Sequence, residues 1–127
     1  MEPPEFPEEH PDWFEVPDDA DILDYLHPGE RLEEYARGLI RVALQLFRKC
    51  EVGVTDSRVL IMEPKWPRGY GLSRSFYRTA CSVVNARVRF DGSTLVLLKS
   101  GEEILCLYFG RRVRDKANSI VRLLGTS

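Results

Sequence analysis

The sequence is poor in the side chains that do chemistry. It holds two histidines, His10 and His27, both before residue 30. No Ser/His/Asp arrangement can therefore be built in the body of the chain. There is no GxxxxGK[ST] and no GxGxxG loop to cradle a phosphate. Catalytic residues are expected to be none, and the chain is not expected to be an enzyme. Its three cysteines, Cys50, Cys81 and Cys106, are far apart and form no CxxC pair. That weighs against a disulfide framework and a cysteine-based metal site, so they read as small buried hydrophobes, with a redox or metal role the lesser reading. Neither a metal nor a cofactor is expected. No apolar run is long enough to span a bilayer. The first nine residues are acidic and rich in proline, the reverse of a secretory signal. A cytoplasmic location is the expectation.

Base is also missing from one end. Residues 1–30 contain eleven acids and no Lys or Arg, while residues 31–127 hold eighteen bases against nine acids, a net of +9. An acidic arm precedes a basic body. Such asymmetry points to an anion-binding surface or to pairing of the two halves. With 127 residues, 43% hydrophobic and 30% charged, the chain is long enough to bury one core without staples.

Prolines 3, 4, 7, 11 and 17 keep the start of the chain extended. Phe6, Trp13, Phe14 and Val16 are too apolar for a purely solvated tail and are expected to dock. Pro17 and the acids Asp18, Asp19 and Asp21 suit the start of a short helix over 18–27, stopped by Pro28-Gly29. From about Glu33 the period becomes that of strands. Asp56-Ser57, Asp91-Gly92 and Ser100-Gly101 each separate two apolar runs, and Asp-Gly is a strong hairpin signal. With Tyr35–Ala43 and Ser73–Ala80 the total is about seven strands, joined as an antiparallel meander. In Val84–Phe90, the residues Val84, Ala86, Val88 and Phe90 share one face, and Asn85, Arg87 and Arg89 the other. Leu95–Leu98 and Ile104–Phe109 are apolar on both faces. Their second face needs a cover: the helix, the N-terminal arm or a second subunit. Val113, Ala117, Ile120, Val121 and Leu124 fall on one face of a final amphipathic helix, with Gly125 as its stop.

Three short motifs carry a resemblance. They are Leu26-His27-Pro28-Gly29-Glu30, then Val54-Thr55-Asp56-Ser57-Arg58-Val59-Leu60, then the closing order of strand, glycine turn, strand and helix. Over residues 26–124 the chain resembles bacterial pleckstrin-homology-like domains of the type related to GRAM domains. That resemblance implies a mainly β fold: a seven-stranded, partly open antiparallel barrel capped by the C-terminal helix. The domain division is then an acidic arm with its short helix over 1–25 and a PH-like domain over 26–127. The family shares no catalytic residues and binds proteins or phosphoinositides. Its lipid binders carry a basic pattern across the first hairpin. Here that stretch has Arg48 and Lys49 but no Arg two residues on.

The candidate binding residues are Arg48, Lys49, Lys65, Trp66, Arg68, Tyr70, Arg87 and Arg89. The segment from Lys65 to Gly71 places bases, aromatics, proline and glycine between strands, where Trp66 and Tyr70 can anchor a partner or fold back on the rim. Arg87 and Arg89, with Arg74 and Arg78, are candidates for a basic sheet face. The leading expectation is a module that binds a protein partner or itself as a homo-oligomer. The alternative is peripheral binding of anionic lipid, with Trp66 inserting and the acidic arm competing for the same surface. Nucleic-acid binding ranks below both, because the aromatics do not line a strand platform.

Overall fold

The computed structural model describes residues 21–125. The docking expected of Phe6, Trp13, Phe14 and Val16 concerns residues outside that range. Seven antiparallel strands follow one another in the chain: β1 (Leu32–Ala43), β2 (Leu46–Thr55), β3 (Arg58–Pro64), β4 (Tyr70–Tyr77), β5 (Cys81–Val88), β6 (Thr94–Ser100) and β7 (Glu103–Phe109). They form one sheet in the order β4-β3-β2-β1-β7-β6-β5. The sheet does not close, so β4 and β5 are its edges. One helix, α1 (Arg114–Leu124), follows a single 3-10 turn over Arg111–Val113. The mainly β architecture with a terminal helix agrees with the sequence reading.

The two halves of the sheet meet at a narrow seam. β1 and β7 share two residue pairs, Leu39 with Tyr108 and Ile40 with Leu107. Gly38 makes this approach possible. A Cβ there would run into the Tyr108 carbonyl oxygen and lie 2.9 Å from Phe109 Cδ1.

The inner face of the sheet carries the main core. Ala36 and Ile40 of β1, Val52 and Val54 of β2, Val59 and Ile61 of β3, and Val96, Leu98, Leu105 and Leu107 of β6 and β7 meet Val113, Ala117 and Ile120 from the helix end. Alternate residues point inward because the strand period is two. Fully burying one such branched side chain is worth about 1.5–3 kcal/mol, so α1 is held by its apolar stripe rather than by helix propensity. The helix stops at Gly125, φ +73°, whose N–H donates to Val121 O at 3.0 Å and whose carbonyl accepts from Val83 N at 2.9 Å.

The outer face is not bare. Ile22, Tyr35, Leu60 and Met62 form a second buried cluster, with Leu23, Tyr25, Leu26, Leu32, Tyr70 and Leu72 around it. The helix expected over 18–27 is here a 3-10 turn over Asp21–Tyr25, while residues 18–20 are outside the described range. A segment this short before Pro28 cannot meet the cost of helix nucleation. It lies flat on the outer face instead, where Gly53 has no side chain to block Ile22 Cδ1. A third outer cluster contains Leu39, Leu95 and Tyr108, flanked by Phe47, Leu97 and Cys106.

Several boundaries differ from the sequence reading. β1 begins at Leu32 rather than Tyr35, β4 runs over Tyr70–Tyr77 rather than 73–80, and Arg78–Ala80 is a 3-10 turn. The expected faces of β5 hold, with Asn85 and Arg87 opposite Leu97 and Leu95 on the outside and Ala86 and Val88 opposite Val96 and Thr94 on the inside, but its half-burial is corrected. Its register shifts between Val83 and Asn85. The bulge sets Cys81 and Val83 on the same inner face as Ala86 and Val88. Cys81 and Val83 are buried, but residues 84–88 are exposed on both faces.

Candidate functional site

Of the eight residues singled out from sequence, five gather at one end of the sheet. β1 and β2 pair out to Ala43 and Leu46, so their hairpin tip projects beyond the core. The tip is apolar: Val42 is 44% exposed, Leu44 75% and Leu46 58%. Glu51 of β2 pairs with Met62 of β3. Continuing that register brings Lys65 beside Arg48, so the β3–β4 loop lies along the flank of the same hairpin. Lys65 N donates to Gly69 O at 3.0 Å and closes that loop. Trp66 stands out of it, 92% exposed. Arg41, Arg48, Lys49, Lys65 and Arg68 are all exposed around these apolar groups. Arg48 also reaches Glu63 at 3.5 Å.

Tyr70 goes elsewhere. It is half-buried in the outer cluster with Ile22 and Met62, and its N–H donates to Asp21 Oδ2 at 2.7 Å. Burial pushes its phenol pKa up. The loop thus presents Trp66, while the start of β4 withdraws Tyr70.

Arg87 and Arg89 lie on the opposite half of the sheet. Arg89 stacks over the Tyr108 ring at 5.5 Å. Arg87 lines a cleft of about 250 Å³ between β5 and α1, together with Ala86, Val88, Thr94, Asn118 and Val121. Thr94 Oγ1 is buried with no hydrogen-bond partner among the described residues. Val84, Val88 and Phe90 are exposed along this edge, at 44%, 52% and 88%. Arg114 and Arg122 are exposed on α1, four residues either side of Asn118, and so share its stripe.

The expected union of Arg74 and Arg78 with Arg87 and Arg89 does not form. Arg74 is ion-paired to Glu103. Arg78 sits in the 3-10 turn and ties three elements, donating to Glu33 Oε1 at 3.0 Å, Thr55 O at 2.9 Å and Leu123 O at 2.9 Å. Their guanidiniums are spent on joining the β4–β5 corner to its neighbours.

The motifs that carried the family resemblance are structural. Glu30 Oε1 is 2.6 Å from Arg58 Nη2 and Glu30 Oε2 is 2.9 Å from Arg58 Nε, a bidentate pair. Thr55 Oγ1 and Ser57 Oγ donate to the same carboxylate at 2.6 and 3.1 Å, and His27 N donates at 2.8 Å. Arg58 also donates to Tyr25 O at 2.9 Å. The Arg58 guanidinium, then these smaller donors, hold the Glu30 carboxyl well below the usual carboxylate range. A second buried network joins Glu51 to the Tyr35 hydroxyl and, at 3.0 Å, to Arg37 Nε. Burial first, then the Glu51 carboxylate, drives the Tyr35 pKa up. Both networks fasten elements together. Among the described residues no cluster of His, Cys, Asp and Glu is arranged to hold a metal, and no helix is long and apolar enough to cross a membrane.

Sequence reasoning missed Val42, Leu44 and Leu46 as surface features. They straddle the β1–β2 turn at Leu44 and Gln45, which no Gly or Pro marks in the sequence. That this hairpin runs past the end of the core was not legible either.

No family model and no curated protein matches the chain. Solved structures do. The N-terminally truncated linker-DH/PH domains of p115-RhoGEF superpose with a TM-score of 0.56 at 13% identity, over 84% of this chain and 32% of that one. The DH/PH fragment of PDZRHOGEF, in complex with human RhoA, gives 0.54 at 9%, over 75% and 28%. The DH/PH domains of p115-RhoGEF give 0.51 at 14%, over 75% and 30%. The chain spans about a third of each of these longer chains. At such identities the likeness is one of fold, and the fold of this chain is PH-like.

Proposed function

We propose that this chain is a non-enzymatic binding module that takes an extended acidic segment of a protein partner along the exposed edge of β5, beside α1. The observation that carries the reading is the second half of β5. Residues 84–88 are exposed on an edge strand, and such a strand offers its outward backbone groups for pairing. The cleft beside it would take alternate side chains of the added strand. Thr94 Oγ1 supplies a polar group in want of a partner. Arg114 and Arg122 of α1 flank the site, which favours carboxylates. A random peptide library displayed on phage and selected against the full chain tests this. Selected peptides should be rich in Asp and Glu alternating with apolar residues, and their binding should vanish in Ala86→Pro. Peptides that bind Ala86→Pro as well as the parent protein would reject the β5 site.

A second reading rests on a different observation. Leu44, Leu46 and Trp66 project at one end of the sheet among Arg41, Arg48, Lys49, Lys65 and Arg68. Apolar tips ringed by bases suit an anionic lipid surface. Co-sedimentation of the full chain with phosphatidylserine vesicles, at low and high salt, tests it. Binding that fades with salt supports it, and no binding at low salt removes it.

A further inference from the structure

The third cluster poses a problem that the described elements do not solve. Lys49 pairs with Leu39, Leu39 with Tyr108, Tyr108 with Leu95, and Leu95 with Arg87. Directly paired residues share a face, so these five form one transverse row across the outside of β2, β1, β7, β6 and β5. Its centre is apolar and buried: Leu39, Tyr108 and Leu95 are 7%, 1% and 8% exposed. The 3-10 turn over Asp21–Tyr25 covers the outer face of β2, β3 and β4 through Ile22, and α1 packs on the inner face. Over β1, β7 and β6, Phe47 lies edge-on to Tyr108 at 5.1 Å and Arg89 stacks on it. These two side chains are small cover for a strip three strands wide.

We propose that residues 1–20 of this chain lie across the Lys49–Leu39–Tyr108–Leu95–Arg87 row as an intramolecular strap. Their carboxylates would meet the bases at its rim and their aromatic side chains its apolar centre. Position is the first argument. Asp21 is anchored by the Tyr70 N–H, Tyr70 pairs with Pro64, and continuing the β2–β3 register sets Pro64 beside Lys49. The segment therefore leaves Asp21 at the β4 end of this same row. Reach is the second. Six strand spacings measure about 29 Å, and twenty residues in extended, proline-rich form reach about 60 Å. Charge is the third. Residues 1–20 hold eight acids and no Lys or Arg. Arg41, Lys49, Arg87 and Lys99 stand exposed on this face, and Glu51, the acid on β2 there, is engaged by Tyr35 and Arg37. Composition is the fourth, since Phe6, Trp13, Phe14 and Val16 supply apolar surface. A second copy is the poorer occupant: a two-fold dimer on this face would set the same bases against each other. The strap and the β5 site are separate claims, and either can fail alone.

Trp66→Phe leaves Trp13 as the sole tryptophan of the full chain. The strap predicts Trp13 emission blue-shifted from that of a free peptide of residues 1–20. It predicts acrylamide quenching several-fold weaker than in the peptide and unchanged by protein concentration. Lys49→Glu with Arg87→Glu in that background, both at exposed positions, should return both signals towards the peptide values. Arg41→Glu should do so in part. Peptide-like emission in the Trp66→Phe protein overturns the proposal. So does protection that survives the charge reversals, which would place the segment elsewhere, or protection that grows with protein concentration, which would make the cover a second copy.

Discussion

Glu30 grips Arg58 through both carboxylate oxygens, at 2.6 and 2.9 Å. The pair fixes the segment before β1 to the β2–β3 turn, and it is almost wholly buried, with side-chain exposures of 9% for Arg58 and 4% for Glu30. Removing one partner strands the other charge in a dry site. Glu30→Ala should destabilise the protein by about 3–5 kcal/mol, read as a fall in the urea midpoint at unchanged slope.

The same pair sets an acid limit. The folded carboxyl titrates below its ordinary value of 4.5, so its stabilisation is complete above that value. It drains as pH falls from there towards the folded value. The parent protein should lose stability progressively as pH falls below about 5. Glu30→Gln should be less stable at neutral pH and flatter across that window. Parallel curves for the two proteins would show that other carboxylates set the limit.

Gly38 should not tolerate a methyl group. Its Cβ would meet a backbone carbonyl of β7, which cannot swing aside as a side-chain tip can. Gly38→Ala should cost about 1–3 kcal/mol, the usual penalty for overpacking. The amides of Leu39 and Ile40 should lose protection first in hydrogen exchange.

The cysteines should separate by reactivity. Cys50 and Cys81 are buried and Cys106 is partly exposed. Burial raises the thiol pKa of both Cys50 and Cys81, which lowers the thiolate fraction as well as access. Iodoacetamide under native conditions should label Cys106 alone, read by peptide mass, with Cys50 and Cys81 reacting after denaturation.

The projecting tip should be neutral for stability. Leu44→Ser and Trp66→Ala change side chains that are 75% and 92% exposed, and such positions shift stability within about 0.5 kcal/mol. Any loss of vesicle binding in these variants is then a loss of contact, with the melting temperature as the control.

How much of this was legible depends on range. The hairpins at Asp56-Ser57, Asp91-Gly92 and Ser100-Gly101 were read from turn chemistry that acts over four residues, and each joins the strands expected. The stripe on α1 was read from its period, and Ala117 and Ile120 are indeed buried. What failed was non-local. The alternation along Val84–Val88 gave the right faces, yet nothing local shows that the edge strand runs past its cover and leaves residues 84–88 exposed. Arg78 looked like half of an exposed pair because its three acceptors come from Glu33, Thr55 and Leu123, far away in sequence. Trp66 and Tyr70 sit four residues apart, and Tyr70 is withdrawn because β4 packs it against Ile22 and Met62, neighbours that local sequence does not reveal.

The narrow seam between β1 and β7 also bears on how the chain acquires its fold. Along the meander, every other paired strand meets a neighbour in the chain, so those hairpins close over short loops at small entropic cost. The first strand meets the last through two residue pairs. Non-local contacts are the slow ones to form. Two hairpin arrays, β1–β4 and β5–β7, thus have the makings of early units, and their joining at Leu39 and Ile40, under the closing α1, is the step at which the molecule commits to a single core.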